Sequence, residues 1–193
     1  MDKILNYIQV NWVEITGSIL SLIYLYLSIK QKVSLWVFGF LASALYVIVF
    51  FDSKLYADMS LQVYYLVVSI YGWINWKRGK EEKELPATVT TRKTWLQLAL
   101  ATIGIYFIYY FVLRYFTDST IPKSDSVVGA LSIIATWMLA RKLIDNWIVW
   151  IVVDAFCVGL YLYKELYTTA GLFVVYTIMA IVGYFQWKKS IKL

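Results

Sequence analysis

The residues of this chain that could do chemistry are few, and most lie inside apolar runs. Asp154 stands near the middle of WIVWIVVDAFCVGLYLY, a stretch that is otherwise apolar and aromatic. An ionisable group at membrane depth is costly to hold there and is a functional candidate by default. Trp147, Trp150, Asp154, Cys157 and Tyr161 recur at steps of three and four, so a helix puts them on one face. A carboxylate among indole and phenol rings suits a cationic aromatic ligand, because charge and π-face both attract a desolvated cation. The same carboxylate could serve instead as a hydrogen-bonding link to a neighbouring helix; the aromatic stripe favours the ligand. A second stripe, Gln62, Tyr65, Ser69, Gly72 and Trp76, runs through LYADMSLQVYYLVVSIYGWINW. The Gln62 amide donates and accepts, which matches the edge of a heterocycle and equally an interhelical bond.

What the chain lacks narrows the chemistry further. Histidine is absent and Cys157 is the one cysteine. Zinc sites built on Cys and His, and nucleophile–imidazole pairs, are therefore excluded by inventory. No G-x-S-x-G elbow is present either, so an enzyme is not expected, nor a metal or cofactor. A single cysteine leaves the redox compartment open. The start, MDKILNYIQVNWVE, has no cleavable signal pattern, and the first helix is expected to act as its own insertion signal. The net charge of +6 would suggest nucleic acid for a soluble protein. Here the basic residues flank apolar spans, so topology accounts for them and no nucleic-acid partner is expected.

The elements that must carry these residues are membrane spans. Of 193 residues, 61% are hydrophobic and 16% charged, against roughly 25% charged in soluble domains. Apolar segments fall at Trp12–Ile29, Ser34–Phe51, Tyr56–Trp76, Trp95–Tyr115, Ser126–Ala140, Trp147–Tyr163 and Tyr167–Trp187. Their lengths suit helices crossing a hydrocarbon core, where every backbone group must be bonded internally. Pro86 and Pro122 fall in loops between them, and Ser124-Asp125-Ser126 reads as a helix N-cap. Glu14, Asp58 and Asp125 fall near the outer span ends. With the N-terminus outside, thirteen Lys and Arg face the inner side and five the outer. That asymmetry predicts an N-out, C-in protein of the inner membrane with Lys77–Thr94, including the solvated cluster Gly79–Glu84, as a cytoplasmic loop. Trp12, Trp36, Tyr56, Trp76, Trp95, Trp147, Tyr167 and Trp187 sit near span ends, where an interfacial aromatic belt is expected.

A shift of 111 residues maps one part of the chain onto another without a gap. Trp36 meets Trp147, Leu55-Tyr56 meets Leu166-Tyr167, Tyr65 meets Tyr176, Gly72 meets Gly183, and Trp76-Lys77 meets Trp187-Lys188. Apolar helices agreeing by chance would not keep glycine and tryptophan in one register. A triplet of helices reverses direction, so a direct second copy needs one extra helix to restore its orientation. The prediction is an all-α integral membrane protein of seven helices in two parallel three-helix repeats. The first repeat spans 12–78, the loop 79–94, the linker helix 95–115 and the second repeat 124–189. Transporters built on such repeats bind their substrate between them near mid-bilayer. Gly72 and Gly183 are expected to permit close helix packing. Asp154 maps onto Ser43, so the halves differ at that level, as an asymmetric ligand requires. The expected contacts are Asp154, Trp150, Gln62, Tyr65, Trp36, Ser43, Tyr161, Tyr176 and Trp147.

The segments LYADMSLQVYYLVVSIYGWINW and ARKLIDNWIVWIVVDAFCVGLYLYKELY resemble the PnuC-type vitamin transporters over nearly the whole chain, with YGWxxW at Tyr71–Trp76 and RKxxxNWxxW at Arg141–Trp150 the specific runs. The resemblance implies a SWEET-like arrangement of three helices, one, and three. It also implies facilitated diffusion of a dephosphorylated vitamin trapped by a cytoplasmic kinase, a homotrimer in membrane lipid, and a pocket that includes Gln62, Tyr65, Trp150 and position 154. The wording around LYAD and YYLVVSIYGW resembles the thiamine branch, so thiamine is the cargo favoured over nicotinamide riboside; both carry a fixed positive charge on an aromatic ring. Riboflavin, being neutral, fits a carboxylate least. Proton-coupled symport through Asp154 stays open beside uniport. The spans Trp12–Ile29 and Ser126–Ala140 lack the proline on which SWEET sugar carriers rely.

Overall fold

The structure is a computed structural model, and it describes residues 2–53, 55–77 and 85–191. Gly79–Glu84, together with Lys54, Arg78 and Lys192 of the charge count, lies outside the described residues, as do the side chains of Lys3 and Glu14. Seven helices follow in order: α1 Asp2–Ile29, α2 Leu35–Asp52, α3 Tyr56–Lys77, α4 Arg92–Phe116, α5 Pro122–Ala140, α6 Asn146–Tyr163 and α7 Tyr167–Lys188. Two boundaries differ from expectation. The first helix begins ten residues earlier than its apolar stretch, because a helix can project beyond the hydrocarbon. The fifth begins at Pro122, so that proline is the first helical residue rather than a loop residue; its missing N–H is not needed there. Asp125 is consequently in the first turn and not part of an N-cap, and its carboxylate accepts a bond from Ser119 Oγ at 2.7 Å.

The repeat is visible in the geometry. Shifting α2 and α3 by 111 residues reproduces the bounds of α6 and α7 residue for residue. Each repeat's first helix ends alike. Gln31 and Lys142 both have φ of 55°, and the following residues bond back across the turn, Lys32 N to Leu27 O and Leu143 N to Met138 O. That is the left-handed closure of a helix C-terminus, here without glycine at either copy.

The six repeat helices pack in a closed ring, α1–α2–α3–α5–α6–α7 and back to α1, and α4 lies outside against α5. Two seams therefore join the repeats, α3 with α5 and α7 with α1. Helix α5 is the most enclosed, with ten of its 19 residues buried. The most apolar helices are α2, α4, α6 and α7; Ser21 and Ser28 of α1, Gln62 and Ser69 of α3, and Ser132 and Thr136 of α5 face the space between the helices. Gly72 and Gly183 let α3 and α7 close on their repeat partners, since a Cβ at either would strike the ring of Trp36 or Trp147.

The segment after α3 is no free loop where it is described. Thr88 pairs with the α5–α6 turn through Thr88 N to Lys142 O at 3.1 Å and Ile144 N to Thr88 O at 2.9 Å. Thr90 N donates to the buried Asp145 carboxylate at 2.7 Å. Residues 85–91 thus strap the first repeat's exit onto the second repeat's turn before Thr91 caps α4.

Candidate functional site

Four tryptophans expected at the membrane interface lie instead inside the ring at its basic end. Trp36, Trp76, Trp187 and Trp147 are each 2% exposed or less. They meet edge to face in a row, with ring centroids 5.6 Å apart for Trp36–Trp76, 5.9 Å for Trp76–Trp187 and 5.8 Å for Trp147–Trp187. The outer members map onto each other under the repeat, as do the inner two. Trp76 Nε1 donates to Leu139 O at 3.1 Å, and Trp187 Nε1 donates to Ser28 O at 2.9 Å. Ser28 and Leu139 are themselves repeat mates, so each repeat's last tryptophan is tied to the last turn of the other's first helix. Asn75 adds a bond to Ala140 O at 2.8 Å, and the Lys142 ammonium lies 4.6 Å from the Trp76 ring centre. This layer is the floor of the molecule's main cavity.

Above the floor, a cavity of about 510 Å³ is lined by both repeats. It extends from Asn146 and Trp147 in the first turn of α6 to Phe50 near the end of α2. Seven of the nine residues expected from the sequence line it: Ser43, Gln62, Tyr65, Trp147, Trp150, Asp154 and Tyr176. They converge because each occupies the inward face of its helix in the ring. Asp154 is 6% exposed and is the one charged residue among the described lining residues. Its mate Ser43 is also buried and also lines the space. Among the described residues no cluster of His, Cys, Asp and Glu could hold a metal ion.

Trp36 and Tyr161 do not line the cavity. Trp36 is taken up by the floor, wedged against Gly72. Tyr161 lies two turns beyond Asp154 on α6, about 10 Å along the axis, and stacks on Phe173 with centroids 5.2 Å apart and planes 24° apart. Phe173 itself lines the cavity, as do Tyr24, Ser132 and Thr136, none of which the sequence stripes singled out. The repeat register held the signal for Phe173, because it is the mate of Gln62. Ser132 and Thr136, four apart on α5, were legible as a polar face.

Comparison with known proteins places this geometry. A family model described as nicotinamide mononucleotide transporter matches residues 11–189. The nicotinamide riboside transporter PnuC of Escherichia coli (strain K12) is 24% identical over 208 residues, covering 94% of this chain and 87% of that protein. The riboflavin/roseoflavin transporter RibM of Streptomyces davaonensis is 27% identical, covering 91% of this chain and 84% of its own. Among solved structures, the crystal structure of the vitamin B3 transporter PnuC superposes with a TM-score of 0.74 at 24% identity, covering 97% of this chain and 85% of that one. The seven-helix fold with two three-helix repeats is thus that of a known transporter.

The assignment to a thiamine branch is overturned: these relatives are named for nicotinamide riboside and riboflavin, and none for thiamine. The physical reason lies in what the branch wording touches. Tyr56 and Asp58 of LYAD are exposed at the start of α3, the Tyr64 hydroxyl donates to Ile133 O between helices, and Gly72 serves the Trp36 contact. Those residues report packing and helix ends; Tyr65 and Ser69 of the same wording do line the cavity, but a tyrosine and a serine there do not by themselves name a cargo.

Proposed function

The chain belongs to the nicotinamide mononucleotide transporter family, and from that membership we propose that it carries nicotinamide riboside by facilitated diffusion. It is a multi-pass inner-membrane transporter of a small-molecule vitamin and not an enzyme. The observation that supports the riboside reading is the cavity between the repeats, with Asp154 as the one charged residue among its described lining, set among aromatic rings. A pyridinium ring brings a fixed positive charge that Asp154 offsets and the Trp150 face accommodates. A phosphorylated ligand would bring negative charge beside Asp154 with no lysine or arginine in the described lining, which favours the dephosphorylated form.

Alternating access follows from the two seams. With the tryptophan floor closed, the ligand enters from the end opposite the basic one; rocking of the repeats about the cavity then parts α3 from α5 and α7 from α1. The charge asymmetry places the basic end in the cytoplasm. A homotrimer, implied by the resemblance, belongs to the same proposal. The row Leu100, Ile103, Phe107 and Phe111 on α4 is exposed to lipid or to a second copy.

Uptake of radiolabelled nicotinamide riboside into proteoliposomes tests the reading. Saturable equilibration down the gradient is expected, unaffected by an imposed proton gradient and inhibited more strongly by unlabelled riboside than by riboflavin. Uptake no faster than in protein-free vesicles would remove the proposal. Accumulation above equilibrium driven by protons would replace facilitated diffusion with symport through Asp154.

A further inference from the structure

The two indole bonds of the floor are equivalent, but the seams they close are not. Along α3–α5, the Tyr64 hydroxyl donates to Ile133 O at 2.8 Å, Arg141 Nη1 donates to the Tyr71 hydroxyl at 3.3 Å, and Asn75 Nδ2 donates to Ala140 O at 2.8 Å. From Tyr64 to Asn75 these bonds cover about 16 Å of α3. The strap crosses the same seam. Leu85 N donates to Trp76 O of α3 at 3.3 Å, Thr88 exchanges two main-chain bonds with the α5–α6 turn, and Thr90 N donates to the buried Asp145 carboxylate. A bond to a charged acceptor is stronger than one between neutral groups. At α7–α1 the bonds that cross among the described residues are Trp187 Nε1 to Ser28 O and Gln31 Nε2 to Ser190 Oγ at 2.7 Å, both at the basic end. The repeat register supplies the reason. Val175 and Val182 stand where α3 has Tyr64 and Tyr71, so α7 lacks those hydroxyls, and Ser34 stands where the second turn has Asp145.

Resting on the alternating access proposed above, though not on the identity of the cargo, we propose that the seams part unequally: α3–α5 is the hinge, and α7–α1 is the gate through which cargo leaves at the basic end. A rocking body opens where the fewest bonds hold it. Gln31 and Ser190 latch that gate, and Ser28, which accepts from Trp187, lines the cavity. Breaking the two bonds therefore connects the cavity to the basic end. Asp145 and the strap keep α3 on the second repeat while it turns.

Cross-linking of the full chain in a Cys157→Ala background tests this. A short bifunctional methanethiosulfonate joins Gln31→Cys to Ser190→Cys across the gate, or Thr88→Cys to Leu143→Cys across the strap. Locking the gate lowers riboside uptake into proteoliposomes about ten-fold or more, and a thiol reductant restores it. Locking the strap leaves uptake within about two-fold. Uptake that survives the locked gate, or that stops equally with the locked strap, overturns the proposal. Spin-label distances give a second readout that needs no cargo. Lys188→Cys with Val37→Cys, and its repeat mate Lys77→Cys with Ile148→Cys, place labels at exposed positions across the gate and the hinge. The gate pair shows a second, longer distance and the hinge pair a single one. A second distance at both seams, or at neither, refutes the inference. Two distances at the gate in a protein that takes up no riboside would defeat the cargo reading alone.

Discussion

At the scale of single residues, the proposed function rests on the asymmetry between Asp154 and Ser43. The scaffold supplies the same buried position twice and fills it once with a carboxylate and once with a hydroxyl. A serine is accommodated at that position in the first repeat; on the proposed reading the acid in the second is there for charge. Burying a carboxylate without a cationic partner is unfavourable, and a cationic ligand relieves that cost. Asp154→Asn is therefore expected to lower riboside affinity about ten-fold or more with an unchanged gel-filtration profile, read by titration calorimetry. Affinity at the parental level would remove Asp154 from the site.

At the scale of elements, close approach between helices is bought by the glycines that sequence reading assigned to packing. Gly183→Ala pushes a methyl into the Trp147 ring, so overpacking should cost about 1–3 kcal/mol and lower the melting temperature in detergent. Gly104, on α4, has nothing within 4 Å of an added Cβ. Gly104→Ala should leave the fold intact and raise stability by roughly 0.5–1 kcal/mol through helix propensity. The two substitutions are the same in chemistry and opposite in expected sign, so thermal unfolding of the pair separates packing from propensity. If both shift the melting temperature in one direction, the assigned roles are wrong.

At the scale of the whole molecule, the floor joins the repeats by two equivalent bonds, Trp76 to Leu139 and Trp187 to Ser28. Each is worth about 1 kcal/mol net, a size a carrier can break on every cycle. Trp76→Phe and Trp187→Phe should each weaken the closure. A cysteine placed at Thr136 in a Cys157→Ala background should then react faster with a maleimide applied from the basic end. Faster labelling in one variant and not the other would show that the seams are not equivalent.

Periodicity and composition carried the fold a long way. Apolar runs at spanning length marked the helices, because a bilayer leaves the backbone no other partner than itself. The 111-residue register marked the repeats, because two copies of one packing problem retain the same glycines and tryptophans. Asp154, Trp150 and Gln62 were legible because polar groups inside apolar runs stand out. The ring order and its centre were not legible. Whether Trp36 lies at the lipid surface or in a buried floor, and whether Tyr161 or Phe173 faces the ligand, depends on which helix packs beside which. A helical stripe names a face but not its neighbour. That choice is made only when α3 meets α5 and α7 meets α1, because contacts across those seams join residues distant in the chain and leave no local pattern.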